Sequence, residues 1–201
     1  MQLFLDTSTQ TTVVALVRKG EVIFYQKSHT QMKHSELLLS KIELALKKAR
    51  VKKEALEEIV VIKGPGSYTG LRVGLAVANA LAFGLGIKLC GLTKFDVAEI
   101  YLENNKEPNT IIALPAFRDH FMKSEKGQLS IVPVKDILRG NSSNLLLMDL
   151  SQDEAQKLGF KKEQLFDYQK KLSLSLWSKA SAGKFTKREL VPFYFQAPKT
   201  T

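Results

Sequence analysis

Two short segments of this sequence bring together side chains that could do chemistry. Asp6-Thr7-Ser8 sets a carboxylate beside two hydroxyls at the end of an apolar run, a combination able to hold a hydrated metal ion or a phosphate. The same residue types satisfy turn backbone groups by local hydrogen bonds, so a plain turn is the competing reading. Gly64-Pro65-Gly66-Ser67-Tyr68-Thr69-Gly70 lies between an apolar run and a small-residue helix. Its glycines permit close backbone approach, and Ser67 or Thr69 can cap a helix whose free amides would face an anion. It differs from the standard phosphate loops. No lysine follows in the G-x-x-x-x-G-K-[ST] pattern, and Gly64, Gly66 and Gly70 are spaced by two and four rather than as G-x-G-x-x-G. An anion site and a tight, capped strand-to-helix turn both fit.

These segments need elements to position them. Leu3–Leu5, Thr12–Val17 and Val22–Gln26 read as a meander of antiparallel strands. A helix is predicted over Ser35–Arg50, with an apolar stripe at Leu38, Leu39, Ile42, Ala45, Leu46 and Ala49. It ends in Lys47-Lys48-Ala49-Arg50-Val51-Lys52-Lys53. That run reads either as a nucleic-acid patch or as cations favoured by the helix dipole. Ile59–Lys63 and Ile87–Cys90 read as strands, Thr69–Leu85 and Thr93–Asn104 as helices, giving βββαβαβ and a closing helix. Alternation after the meander implies parallel strands and a mixed α/β sheet. The polar run Asn104–Asn109 suggests two lobes, 1–104 and 105–201. In the second, strands are predicted at Ile111–Leu114, Phe121–Ser124, Leu129–Val134 and Leu145–Leu150, with a last strand at Val191–Gln196. Helices are predicted at Asp153–Leu158 and Leu165–Ala180. In the Thr69–Leu85 helix, Gly70, Gly74, Ala78 and Ala82 form one ridge without bulk, and Ala76, Ala80 and Gly84 another. Either could receive the first helix or another protein.

Composition narrows the class. The 201 residues are 44% hydrophobic and 25% charged, as in an ordinary globular protein. The net charge of +10 is shared between the halves, with fourteen basic and nine acidic residues in 1–100 and sixteen and eleven in 101–201. The longest apolar candidate, Leu71–Ile87, is interrupted by Arg72, Gly74, Asn79, Gly84 and Gly86, so no membrane span is expected. The strand-like start lacks the pattern of a secretory signal, and a cytoplasmic location is expected. Cys90, alone in an apolar run, excludes an intramolecular disulfide and reads as a buried thiol.

Leu3-Phe-Leu-Asp-Thr-Ser-Thr9, Thr12–Val17, Lys33-His-Ser-Glu-Leu-Leu-Leu39 and the string from Gly64 to Ile87 together resemble the bacterial TsaB family, also called YeaZ, over about the first 95 residues. The resemblance implies two ribonuclease-H-like lobes of the actin-like, Hsp70-like and sugar-kinase (ASKHA) fold, the second lobe shortened. It implies a non-catalytic scaffold in making threonylcarbamoyladenosine at adenosine 37 of tRNA. The partners it implies are the catalytic paralogue TsaD and the ATPase TsaE, with tRNA met through the complex and a homodimer when TsaD is absent. ATP or ADP and metal are then expected on the partner subunits, none being held tightly by this chain. Asp6, Thr7 and Ser8 become a vestigial cofactor half-site, and Gly64, Pro65, Gly66, Ser67, Thr69 and Gly70 a structural loop. Leu38, Ile42, Ala45, Leu46 and Ala49, with Gly74, Val77, Ala78 and Leu81, become the partner surface.

What the sequence lacks agrees with a non-catalytic role. The catalytic relative carries a helix-borne His-x-x-x-His, whereas His29, His34 and His120 include no pair four apart, and Leu38 follows His34 at that distance. Gly127, Gly140, Gly159 and Gly183 are isolated, leaving no second phosphate loop. No catalytic residue and no metal site are therefore expected. Leu114–His120 departs from the family pattern by placing Pro115 at an acidic position. Val191–Gln196 resembles the family's closing Pro-aromatic strand. His34-Ser35-Glu36 is expected to open the first helix, with Ser35 as cap. Two rival readings are a nucleotide-dependent enzyme or protease in its own right, and a direct tRNA-binding module.

Overall fold

The computed structural model describes residues 1–29, 34–107, 109–139, 144–170, 174–186 and 188–194, with only the backbone for 34–36. The chain divides into two compact units, Met1–Lys94 with Lys171–Thr201, and Phe95–Lys170.

The first unit is built on a five-stranded sheet. The strands are β1 (Gln2–Asp6), β2 (Thr11–Arg18), β3 (Glu21–His29), β4 (Glu58–Gly64) and β5 (Lys88–Thr93), in the order β3-β2-β1-β4-β5. The meander strands pair antiparallel, while β1-β4 and β4-β5 are parallel. β1, β2 and β4 are apolar runs because both their faces are covered; β3, at the edge, alternates and is only half-buried. Two helices supply part of that cover, α1 (His34–Lys48) and α2 (Tyr68–Leu85). Leu38, Ile42 and Ala45 of α1 and Leu75, Ala78 and Ala82 of α2 join Leu3, Leu5, Leu16, Ile59 and Val61 in one core. α2 stops at Gly86, whose left-handed φ of 66° lets its N–H reach the Ala82 and Phe83 carbonyls. By length and composition α2 could cross a membrane, but its inner face belongs to this core.

The second unit has β6 (Ile111–Phe117), β7 (His120–Glu125), β8 (Gln128–Pro133) and β9 (Leu145–Leu147), in the order β8-β7-β6-β9. β6-β7 and β7-β8 are antiparallel and β6-β9 is parallel. It thus repeats the order of the first sheet with one strand fewer. Its helices are α3 (Lys94–Asn105), α4 (Val134–Arg139) and α5 (Gln152–Lys157). Ala113, Phe121, Ile137, Leu147 and Phe160 form its separate core.

The chain then returns. Helix α6 (Leu174–Ser181) buries Trp177 completely, stacked on Phe4 of β1 with centroids 5.7 Å apart. Thr186 makes a two-bond bridge to Leu89 of β5. The Asn79 side chain both donates to and accepts from the backbone of Leu190, at 2.9 Å each.

Several expectations need correcting here. A division at 104/105 does not match the compact units, because α3 belongs with 95–170 and the C-terminal segment belongs with the first sheet. The predicted helix over Leu165–Ala180 reduces to α6, since Leu165 pairs with Leu147 and Phe166 N–H bonds the Leu147 carbonyl, holding that stretch extended. α4 has no predicted counterpart. At 191–194 no strand forms, although Phe193 N–H bonds the Lys63 carbonyl at 2.7 Å; 195–196, like Gly140, lie outside the described residues. The return of α6 to β1 is checked by Trp177→Ala, which should cost roughly 3–5 kcal/mol of stability in urea unfolding followed by circular dichroism.

Candidate functional site

The two sequence motifs meet. β1 ends at Asp6, and Asp6, Thr7 and Ser8 are 0, 0 and 1% exposed. Ser8 N–H donates to Asp6 Oδ1 at 2.7 Å, forming a local turn. Ser67 N–H donates to the Ser8 carbonyl at 2.7 Å, and Thr7 Oγ1 donates to the Gly70 carbonyl at 2.6 Å. Ser67, not Thr69, is the cap: its Oγ accepts from Gly70 N–H at 3.2 Å.

The spacing of the glycines follows from this contact. A Cβ on Gly66 would run into the Ser8 carbonyl oxygen, one on Gly70 into the Thr7 carbonyl oxygen, and one on Gly74 into Thr7 Oγ1. Recurring every four residues, they clear one line along the start of α2, and the end of β1 lies in it. These contacts make the end of β1 and the start of α2 a close packing joint around Thr7 and Ser8. Gly64 belongs to the same tight region, its missing Cβ leaving room for the Phe193 carbonyl.

The expected partner surface also needs correction. Leu38, Ile42, Ala45, Gly74 and Ala78 are buried within the chain's own first unit. Leu46, Ala49, Val77 and Leu81 are half-buried at the rim of the same core. A hydrophobic stripe in a sequence marks the face that finds cover first, and here that cover is internal. The ridge Gly70, Gly74, Ala78 and Ala82 faces inward, while Ala76, Ala80 and Gly84 face outward. Phe83 stands on that outward face 92% exposed. Leu37, Leu39 and Leu44 of α1 are also substantially exposed. Leu39, expected on the apolar stripe beside Leu38, is thus turned outward, because three consecutive leucines, 37–39, cannot share one helix face; Leu37, Leu44 and Phe83 carried no expectation. The side chains of His34, Ser35 and Glu36 lie outside the described residues, though α1 does begin at His34.

At the start of α2, Arg72 Nη1 donates to Tyr68 Oη at 3.0 Å and its guanidinium lies over the Tyr68 ring. Tyr194 stacks on the same ring, 5.3 Å between centroids, with its hydroxyl buried and without a hydrogen-bond partner. Burial, and then the neighbouring Tyr68, raise its pKa above the ordinary tyrosine value. Among the described residues no three His, Cys, Asp or Glu side chains converge on a common point.

Two predictions follow from this geometry. Gly74→Ala should destabilise by roughly 1–3 kcal/mol, and Thr7→Ala should relieve part of that because its target atom is then gone. Gly70→Ala, which meets a backbone oxygen, should not be rescued; urea midpoints of the single and double variants check this. For Tyr194, the neutral phenol is favoured by folding, so its contribution is complete below the unfolded pKa and is lost as pH rises through the folded one. Ultraviolet titration should show a late-ionising tyrosine that Tyr194→Phe removes.

Comparison with known proteins places this architecture. The family model for TsaD, tRNA N6-adenosine threonylcarbamoyltransferase, matches residues 21–143, more than half of the chain. The Bacillus subtilis tRNA threonylcarbamoyladenosine biosynthesis protein TsaB is 34% identical over 94 residues, covering 47% of this chain and 41% of that one. The Haemophilus influenzae protein of the same name is 31% identical over 119 residues, covering 57% and 48%. The chain spans about half the length of the curated relatives it matches. A crystal structure from Pseudomonas aeruginosa, described as similar to peptidase YEAZ, superposes with a TM-score of 0.73 at 20% identity over 97% of this chain and 99% of that one, showing a shared fold. The TsaD-model match spans more than half of the chain, so the chain belongs to the family that this model describes, and the TsaB relatives and the YeaZ-like fold agree with it.

Proposed function

We propose that this chain is a non-catalytic accessory subunit in the formation of threonylcarbamoyladenosine on tRNA, and that it works by docking on the catalytic paralogue TsaD. The observation that carries the reading is the outward face of α2. Ala76, Ala80 and Gly84 leave a line without bulk, and Phe83 projects beside it almost fully exposed. A partner helix can approach closely along the first and receive the second as an anchor. A groove of about 570 Å³ lined by Ala76, Asn79, Ala80, Phe83 and Ile87 adjoins this face and extends the apolar surface. Partner docking gives such an exposed patch a physical purpose.

The packed joint at Asp6–Ser8 supports the non-catalytic part of the reading. ATP or ADP and any metal then belong to TsaD and TsaE, and tRNA reaches this subunit within the complex in the cytoplasm. Without TsaD, the same face is available to a second copy of the chain.

Ala78→Arg is a poor test of this surface, because Ala78 is 0% exposed and a buried guanidinium would unfold the unit. Ala80→Arg and Phe83→Asp are outward. Each should weaken the one-to-one complex with TsaD by at least about thirtyfold, the equivalent of an anchor worth roughly 2 kcal/mol. Circular dichroism and melting should be unchanged. Light scattering of the mixture reads the complex mass; undiminished association by both variants would put the interface elsewhere.

A further inference from the structure

Positive charge is shared by the two halves of the sequence but not by the two units of the fold. Met1–Lys94 with Lys171–Thr201 carries twenty Lys and Arg against eight Asp and Glu, while Phe95–Lys170 carries ten against twelve. The return of the C-terminal segment brings six basic residues and one acidic residue to the first unit, so the whole positive excess lies there.

Its densest cluster is Lys47, Lys48, Arg50, Lys52 and Lys53. All five are exposed, and none forms an ion pair among the described residues. The helix dipole accounts for Lys47 and Lys48 in the last turn of α1, but its influence ends with that turn. Arg50, Lys52 and Lys53 lie beyond it, in the loop and the single 3₁₀ turn Lys53–Ala55. Arg50 also occupies a left-handed position, φ 53°, where glycine or asparagine is the favoured helix stop. Of the nearby acids, Glu57 is taken by the N-terminal ammonium of Met1, leaving Glu43 and Glu54 against five cations.

The residues between these charges identify the partner. Val51 is buried and Ala49 half-buried, so no large apolar side chain projects between Lys47 and Lys53, the nearest exposed one being Leu44 a turn earlier on α1. Protein interfaces concentrate their energy in aromatic or apolar anchors, and membrane-surface helices insert an apolar face. This patch offers neither. Closely spaced, exposed cations without an ion pair among the described residues suit a closely spaced row of phosphates. We propose that Lys47–Lys53 binds the phosphate backbone of RNA. The site concerns this chain alone and does not rest on docking to TsaD.

The test uses the full chain, a fluorescently labelled tRNA transcript and anisotropy titrations from about 0.05 to 0.3 M salt. The triple variant Lys48→Gln/Lys52→Gln/Lys53→Gln is compared with Lys126→Gln/Lys135→Gln/Lys162→Gln, which removes the same charge from exposed positions of the other unit. The patch variant should weaken binding roughly a hundredfold at about 0.1 M salt and reduce the logarithmic salt slope by about 2, three phosphate contacts at about 0.7 each. The control should change affinity less than about threefold. Equal losses in the two variants, or absent or salt-insensitive binding by the wild type, would overturn the proposal. So would loss of binding to phosphatidylserine vesicles with tRNA binding intact, which would make the partner a membrane.

Discussion

The first unit depends on one close approach, that of the α2 N-terminus onto the end of β1. Gly66 and Gly70 lie against the Ser8 and Thr7 backbone and Gly74 against the Thr7 hydroxyl, which is why the three glycines recur every four residues and why Thr7 and Ser8 are buried. The hydrogen bonds across it, Ser67 to Ser8 and Thr7 to Gly70, satisfy polar groups that burial would otherwise leave costly. Once α2 is fixed at this end, its inner ridge can reach the sheet and α1, and its outer ridge is left facing solvent.

That division of one helix into two faces underlies the functional reading. The inward ridge contributes to stability and is unavailable to a partner. The outward ridge carries Phe83 at a cost in exposed apolar surface, which an interface would recover. The C-terminal return bears on the same helix: Asn79 grips the Leu190 backbone and Tyr194 covers Tyr68, so residues distant in sequence border the surface α2 presents.

Much of this is legible in the sequence. The positions and chain order of the first sheet's strands came through because β1, β2 and β4 are built on apolar runs, while β3 and β5 proved longer than expected; the glycine spacing and a Ser67 or Thr69 cap announced a tight turn. The spacing could not say whether the turn faced an anion or another strand, since that depends on what lies across from the glycines. Periodicity picked Leu38, Ile42 and Ala45 correctly as an apolar face but could not tell internal cover from a partner. The C-terminal return was hidden because it rests on single contacts between distant residues, Trp177 on Phe4 and Thr186 on Leu89. It also concealed the uneven charge, which appears only when residues 171–201 are counted with the unit they join.

We propose that the junction of Asp6–Ser8 with Gly66–Gly74 is a packing joint and not a nucleotide site. Amide hydrogen exchange at Ser8 and Ser67, with and without magnesium and ATP, tests it most directly. Both amides should exchange only through global unfolding and at the same rate in either condition. Rapid exchange that slows when magnesium-ATP is added would contradict it.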